Sequence, residues 1–205
     1  MMKKIISFVL FIILIVSCKN ETKKNENQDV KTSVLPTPVK KEQERKIITG
    51  MVEAQIDGQP FNMNTFDQKL TTDVTFLDNG IQFRINDVNK KSVLVNMYAP
   101  DLLKHIPITI SQQTSALEIE EAYKVKTQSR LEVVIPSEQP MQGDSKVLYT
   151  GTVSLEELSE NKLVVTFSGN GFSSGSTLKK ELFPMEGKIV LDNFNVYDFR
   201  TNNMN

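Results

Sequence analysis

Residues 71–87 read TTDVTFLDNGIQFRIND, and the alternation in this stretch decides the fold. Val74 and Phe76 alternate with polar neighbours before Asp78-Asn79-Gly80, and Ile81, Phe83 and Ile85 alternate after it. A period of two places each apolar set on one face of an extended strand. Asn-Gly accepts the positive φ angles of a tight turn, so the stretch is predicted to form a β-hairpin with one buried face.

The same period extends in both directions. Upstream, ITGMVEAQIDGQPFNM (48–63) puts Ile48, Val52, Ala54 and Ile56 on one face, and Asp57-Gly58 offers a turn before Phe61 and Met63. Downstream, KSVLVNMYAP (91–100) alternates through Val93, Val95 and Met97, and DLLKHIP (101–107) fits a single helical turn stopped by Pro107. SALEIEEAYKV (115–125) suits a helix or a strand; a strand with Leu117, Ile119, Tyr123 and Val125 inward is preferred, because RLEVVIP (130–136) beside it also alternates. KVLYTGTVSLEEL (146–158) and KLVVTFSG (162–169) form a second hairpin, with Val153 and Leu155 facing Leu163, Val165 and Phe167. In GKIVLDNFNVYDF (187–199) the apolar phase changes at Asp192-Asn193, which predicts a bulge or bend. About nine or ten short strands imply an all-β fold, a single antiparallel β-sandwich or barrel-like domain over residues 47–205.

The beginning of the chain has another character. Lys3 and Lys4 precede an apolar run from Ile5 to Val16, followed by small Ser17 and by Cys18, the only cysteine. Twelve helical residues rise only about 18 Å, short of a bilayer core of roughly 30 Å, so the run reads as a secretory signal over residues 1–17 rather than a lasting span. Ile15-Val16-Ser17-Cys18 resembles the bacterial lipobox, where a peptidase cuts between Ser17 and a diacylglycerol-bearing Cys18. The resemblance implies that Cys18 becomes the first residue, carries three acyl chains and attaches the protein to a membrane. Two acyl chains already anchor stably, at about 0.8 kcal/mol per buried methylene. No thiol then remains for disulfide or nucleophilic chemistry.

Residues 18–46 are expected to be the lipidated cysteine and a disordered tether. Lys19–Lys46 holds thirteen charged residues and only four aliphatic ones, Val30, Val34, Leu35 and Val39, too little apolar surface to offset the entropy of ordering. A flexible chain of this length spans roughly 30 Å on average. Loss of Lys3 and Lys4 with the signal takes the formal charge from −1 to −3, which gives no basic footprint for nucleic acid.

Beyond the lipobox, the early Asp-Gly turn followed by an aromatic, YTGTVSL with NKLVVTFSG, and the closing GKIVLDNFNV resemble small lipoproteins of unknown function from Bacteroidota. That resemblance implies a β domain in the cell envelope, lipid-anchored to the outer membrane on its periplasmic or exterior side. It brings no catalytic residues. Lys19 followed by Asn20 and Glu21 partly resembles a surface-export signal.

No arrangement in the β region assembles a familiar reaction centre. His105, the sole histidine, sits among apolar residues of LLKHIPI and is expected at a surface or turn. Gly169, Gly171 and Gly175 in SGNGFSSGS miss phosphate-loop spacing, and the segment is expected to be a loop between strands. Adjacent carboxylates at Glu120-Glu121 and Glu156-Glu157 point to opposite faces of a strand, unlike a glycosidase pair. Asp78-Asn79 and Asp192-Asn193 lack the frame of a calcium loop. Neither metal nor cofactor is expected. For a glycan the available platforms are Tyr98, Tyr123, Tyr149 and Tyr197, there being no tryptophan. The expectation is a non-enzymatic binding or interaction module with an envelope protein or glycan as partner, the alternative being a small-ligand or glycan-binding lipoprotein.

Overall fold

The computed structural model describes residues 45–114, 119–121, 124–137, 143–174 and 181–201. Strand β1 (Thr49–Ile56) turns into β2 (Gln59–Met63) through Asp57 and Gly58, whose φ angles are 54° and 71°. Positive φ at both turn residues matches the right-handed twist of the flanking strands.

The decisive hairpin consists of β3 (Val74–Leu77) and β4 (Gly80–Asn86). Its turn differs from the expected one. Leu77 pairs with Gly80, which leaves Asp78 and Asn79 as the turn residues, and positive φ occurs at neither Asn79 nor Gly80. Gly80 instead lies opposite Tyr98 of β5 (Ser92–Tyr98), where a Cβ would come within 2.6 Å of Tyr98 Cδ1. The residue is small because a ring crosses it.

From β5 the sheet continues through β9 (Gln128–Pro136) to the first part of β10 (Gly143–Leu158), which pairs along its length with β11 (Lys162–Ser173). Strand β12 (Phe183–Asp192) follows β11 and closes onto β1. The sixteen-residue β10 is the corner: Gly143–Val147 pairs with β9, whereas Val153–Leu155 pairs with β6 (Ile108–Ile110). Between these parts Tyr149 is an extra residue in the ladder, and Gly151 crosses Gly169 so closely that a Cβ on either would strike the opposite backbone. A bulge and a close crossing let one long hairpin bend and carry the sheet from one wall to the other.

Both walls bury one core. Phe83, Ile85, Val93, Val95, Leu131 and Val133 on one side join Val52, Ile56, Leu155, Val165, Ile189 and Leu191 on the other in a single cluster. Each such side chain contributes about 1.5–3 kcal/mol on burial.

The domain is all-β, as the alternation predicts. Among the described residues its main sheet has eleven strands, is bounded by β2 and by β13 (Val196–Asp198), and folds two walls over one core, sandwich-fashion, without closing into a barrel. It is also mixed. The chain bends at Asn193 (φ 61°), buries Phe194, and crosses to pair β13 parallel with β3. The predicted turn at DLLKHIP is a 3-10 helix, Leu102–Lys104. SALEIEEAYKV does not form a single strand: β7 (Ile119–Glu121) and β8 (Lys124–Val125) pair with each other off the main sheet, while Leu117 and Tyr123 lie outside the described residues. SGNGF, expected as loop, is the end of β11, where Gly171 pairs with Phe183 and with Leu148; Gly175 lies outside the described residues.

Candidate functional site

The described chain begins as an extended segment, 45–48, that is gripped by side-chain amides before β1 starts. Lys46 N donates to Asn195 Oδ1 and Asn195 Nδ2 donates back to Lys46 O, both at 2.9 Å. Asn193 Nδ2 donates to Ile47 O at 3.0 Å. Gln68 closes the same two-way pairing on Ile48, accepting from its N–H at 2.8 Å and donating to its carbonyl at 2.9 Å. Amides carry a donor and an acceptor in the spacing of a peptide group, so they stand in for a neighbouring strand. Asn161, in the β10–β11 turn, accepts from Lys46 Nζ at 2.9 Å, and its carbonyl accepts from Asn193 N at 2.7 Å.

This grip forms one wall of a cleft of about 700 Å3, within the range of ligand sites. Arg45, Lys46, Phe76, Leu158, Val196 and Tyr197 line it, with buried Phe194. Its charges are balanced. Arg45 pairs with Asp73 at 2.9 Å, and Glu160, next to the Asn161 that holds the Lys46 ammonium, also lines the cleft. An aromatic band continues from the rim, with Tyr197 and Phe199 rings 4.8 Å apart and the Arg200 guanidinium over Phe76 at 5.5 Å. Asp198 holds that guanidinium at 2.5 Å, and this hydrogen bond raises the Arg200 pKa.

The residues singled out in the sequence are dispersed. Cys18 and Ser17 lie outside the described residues, as does Tyr123. Tyr98 is 6 % exposed, packs on Gly80 and donates its hydroxyl to Gln82 Oε1 at 3.2 Å. Burial raises its pKa. Tyr149 is exposed at the β10 bulge, edge-on to Phe172 at 5.6 Å. Of the three that are described, Tyr197 is the one at the cleft. Tyr149 and Leu158 are nine positions apart on β10, about 30 Å of strand contour, so exposed Tyr149 lies on a part of the hairpin well along the chain from the cleft residue Leu158.

His105 is exposed after the 3-10 helix, with the Asp101–Lys104 ion pair (2.7 Å) beside it. Lys104 lowers the pKa of Asp101, chiefly by hydrogen bonding. Glu156 accepts from Thr166 Oγ1 and Glu157 pairs with Lys162, both on the surface; Glu120 and Glu121 fall in β7, where side chains are outside the description. Asp78 accepts hydrogen bonds from Thr201, and Asp101 N donates to Asn79 Oδ1. Among the described residues no group of three His, Cys, Asp or Glu is placed to hold a metal. No helix among them is long and apolar enough to cross a membrane.

The cleft itself was not read from the sequence. Its parts come from Arg45, Asp73, Phe76, Leu158 and Asn195, which no local pattern links. The available signal was the recurrence of asparagine at Asn161, Asn193 and Asn195 in turns flanking strands. No family model, curated protein or solved structure matches the chain.

Proposed function

We propose that the protein is a non-enzymatic, lipid-anchored component of a bacterial cell envelope, attached to the outer membrane through Cys18, whose β domain binds an envelope partner. The observation that carries this reading is Ile15-Val16-Ser17-Cys18 after an apolar run, with the only thiol of the chain at the acylation position. The resemblance to Bacteroidota lipoproteins agrees with it, and the exposed turn position of His105 fits a domain that works by contact. Crosslinking in intact envelopes, followed by recovery of the protein, is expected to yield the same partner repeatedly. Recovery of the protein alone in replicate envelopes contradicts the binding role.

The cleft favours a second reading, a small-ligand or glycan-binding lipoprotein, because its volume suits a ligand and Phe76 and Tyr197 offer ring faces. Glycan arrays probed with the purified chain, and with Tyr197→Ala beside it, test this. Binding by the first and not the second supports the reading; uniform silence removes it.

A further inference from the structure

We infer that the band formed by Ile47, Val196, Tyr197 and Phe199 is a second membrane contact that rests against lipid headgroups while the chain is held by its anchor. The inference rests on the Cys18 reading for the anchor. Among the described residues, four of the nine exposed large hydrophobic ones gather here, at 66, 43, 57 and 48 % exposure. One link draws them together: Asn193 Nδ2 bonds the Ile47 carbonyl, Asn195 bonds Lys46, Val196 and Tyr197 follow that link and line the cleft with Lys46, and the Tyr197 and Phe199 rings lie 4.8 Å apart.

The chemistry suits an interface between water and lipid. Tyr and Phe settle at headgroup depth, and Arg and Lys bury their stems while their charges stay wet. Arg45, Lys46 and Arg200 are interspersed in the band, and two of them carry their own counter-charges, Asp73 and Asp198. The surface therefore has no large net charge and suits zwitterionic headgroups. A protein strand is a poorer occupant, because β13 offers only three residues of edge and one is the charged Asp198.

Position favours lipid as well. The chain joins the domain at Arg45, within the band, and Cys18 is twenty-seven residues upstream. A flexible tether of that length, as its composition predicts, would hold the band at an effective concentration on the order of millimolar, at which even a weak contact is populated.

One thiol and no tryptophan make the test direct. The chain from Cys18 onward, the mature protein on this reading, is coupled through Cys18 to a maleimide phospholipid in vesicles of phosphatidylethanolamine and phosphatidylcholine, with Tyr197→Trp as the only tryptophan, excited beyond the absorption of the tyrosines. Tyr149→Trp, well along the β10–β11 hairpin from the cleft, is the comparison. Trp emission at 197 is expected to shift to the blue, and brominated acyl chains are expected to quench it roughly twofold or more above position 149. Adding Phe199→Asp is expected to abolish the difference without changing the melting temperature. Equal quenching at 197 and 149 overturns the inference, as does a blue shift without vesicles that grows with protein concentration, which marks self-association. Chemical coupling bypasses cellular acylation, so this result stands apart from whether cells acylate Cys18.

Discussion

Gly80 and Tyr98 share a volume that has room for one side chain. A methyl at position 80 meets the Tyr98 ring at 2.6 Å, so Gly80→Ala is expected to cost about 1–3 kcal/mol in denaturant unfolding. In a Tyr98→Ala background the same change should cost far less. An equal cost in both backgrounds would assign Gly80 to turn geometry instead. The sequence pointed to the right hairpin through Asn79-Gly80, yet the glycine meets a need set by Tyr98, eighteen residues further along, which no dipeptide signature encodes. Glu132 was equally silent in the sequence. Its half-buried carboxylate accepts from Ser145 Oγ at 2.6 Å and Arg130 at 2.5 Å. Burial alone raises its pKa, but these two hydrogen bonds, with the charges of Arg130 and Arg84, outweigh burial and hold it below its ordinary value. A lowered folded pKa adds stability that is present above the unfolded value, about 4.3, and disappears as pH falls through the folded one. Glu132→Gln is therefore expected to lose about 1 kcal/mol at pH 7, with the gap to wild type narrowing below about pH 4. A gap that is independent of pH contradicts the assignment.

At the scale of elements, hairpins were legible and long-range pairings were not. β1–β2 and β10–β11 join neighbours in sequence, so turn residues and alternation specify them together. β13 pairs with β3 from the other end of the chain, and its three exposed residues carry no period that names a partner. The hairpin β7–β8 was read as one strand because its apolar residues keep phase while the chain reverses between Glu121 and Lys124. The incoming segment is the clearest case of structure supplied from elsewhere: Arg45 and Lys46 have tether composition, yet amides from Asn195 and Asn161 and a carboxylate from Asp73 fix them. Gln68 extends this grip to Ile48, which is 3 % exposed. Gln68→Ala leaves the Ile48 N–H and carbonyl without those partners and is expected to cost about 1–3 kcal/mol and to accelerate hydrogen exchange at the Ile48 amide. Unchanged exchange at Ile48 would mean that the amide grip does not order the segment.

Across the whole molecule, the incoming chain, the cleft and the aromatic band occupy one end of the β10–β11 hairpin, and Tyr149 with Phe172 lies well along the hairpin from it. An anchor at Cys18 would bring that end toward the membrane and leave the Tyr149 region for a partner. The fold was readable because one alternation, repeated along the chain, selects an all-β core. The cleft was not, because it is assembled from three turns and a stretch of polar composition. The proposed anchor is the reverse case, read only from the sequence, and the account depends on it. Metabolic palmitate labelling of wild type and Cys18→Ala, with protease treatment of intact cells, is the measurement that tests it most directly. The account predicts label in the wild-type protein and none in the variant, the protease result then giving the membrane face. No label in the wild type, or equal label in both, would contradict the lipid anchor.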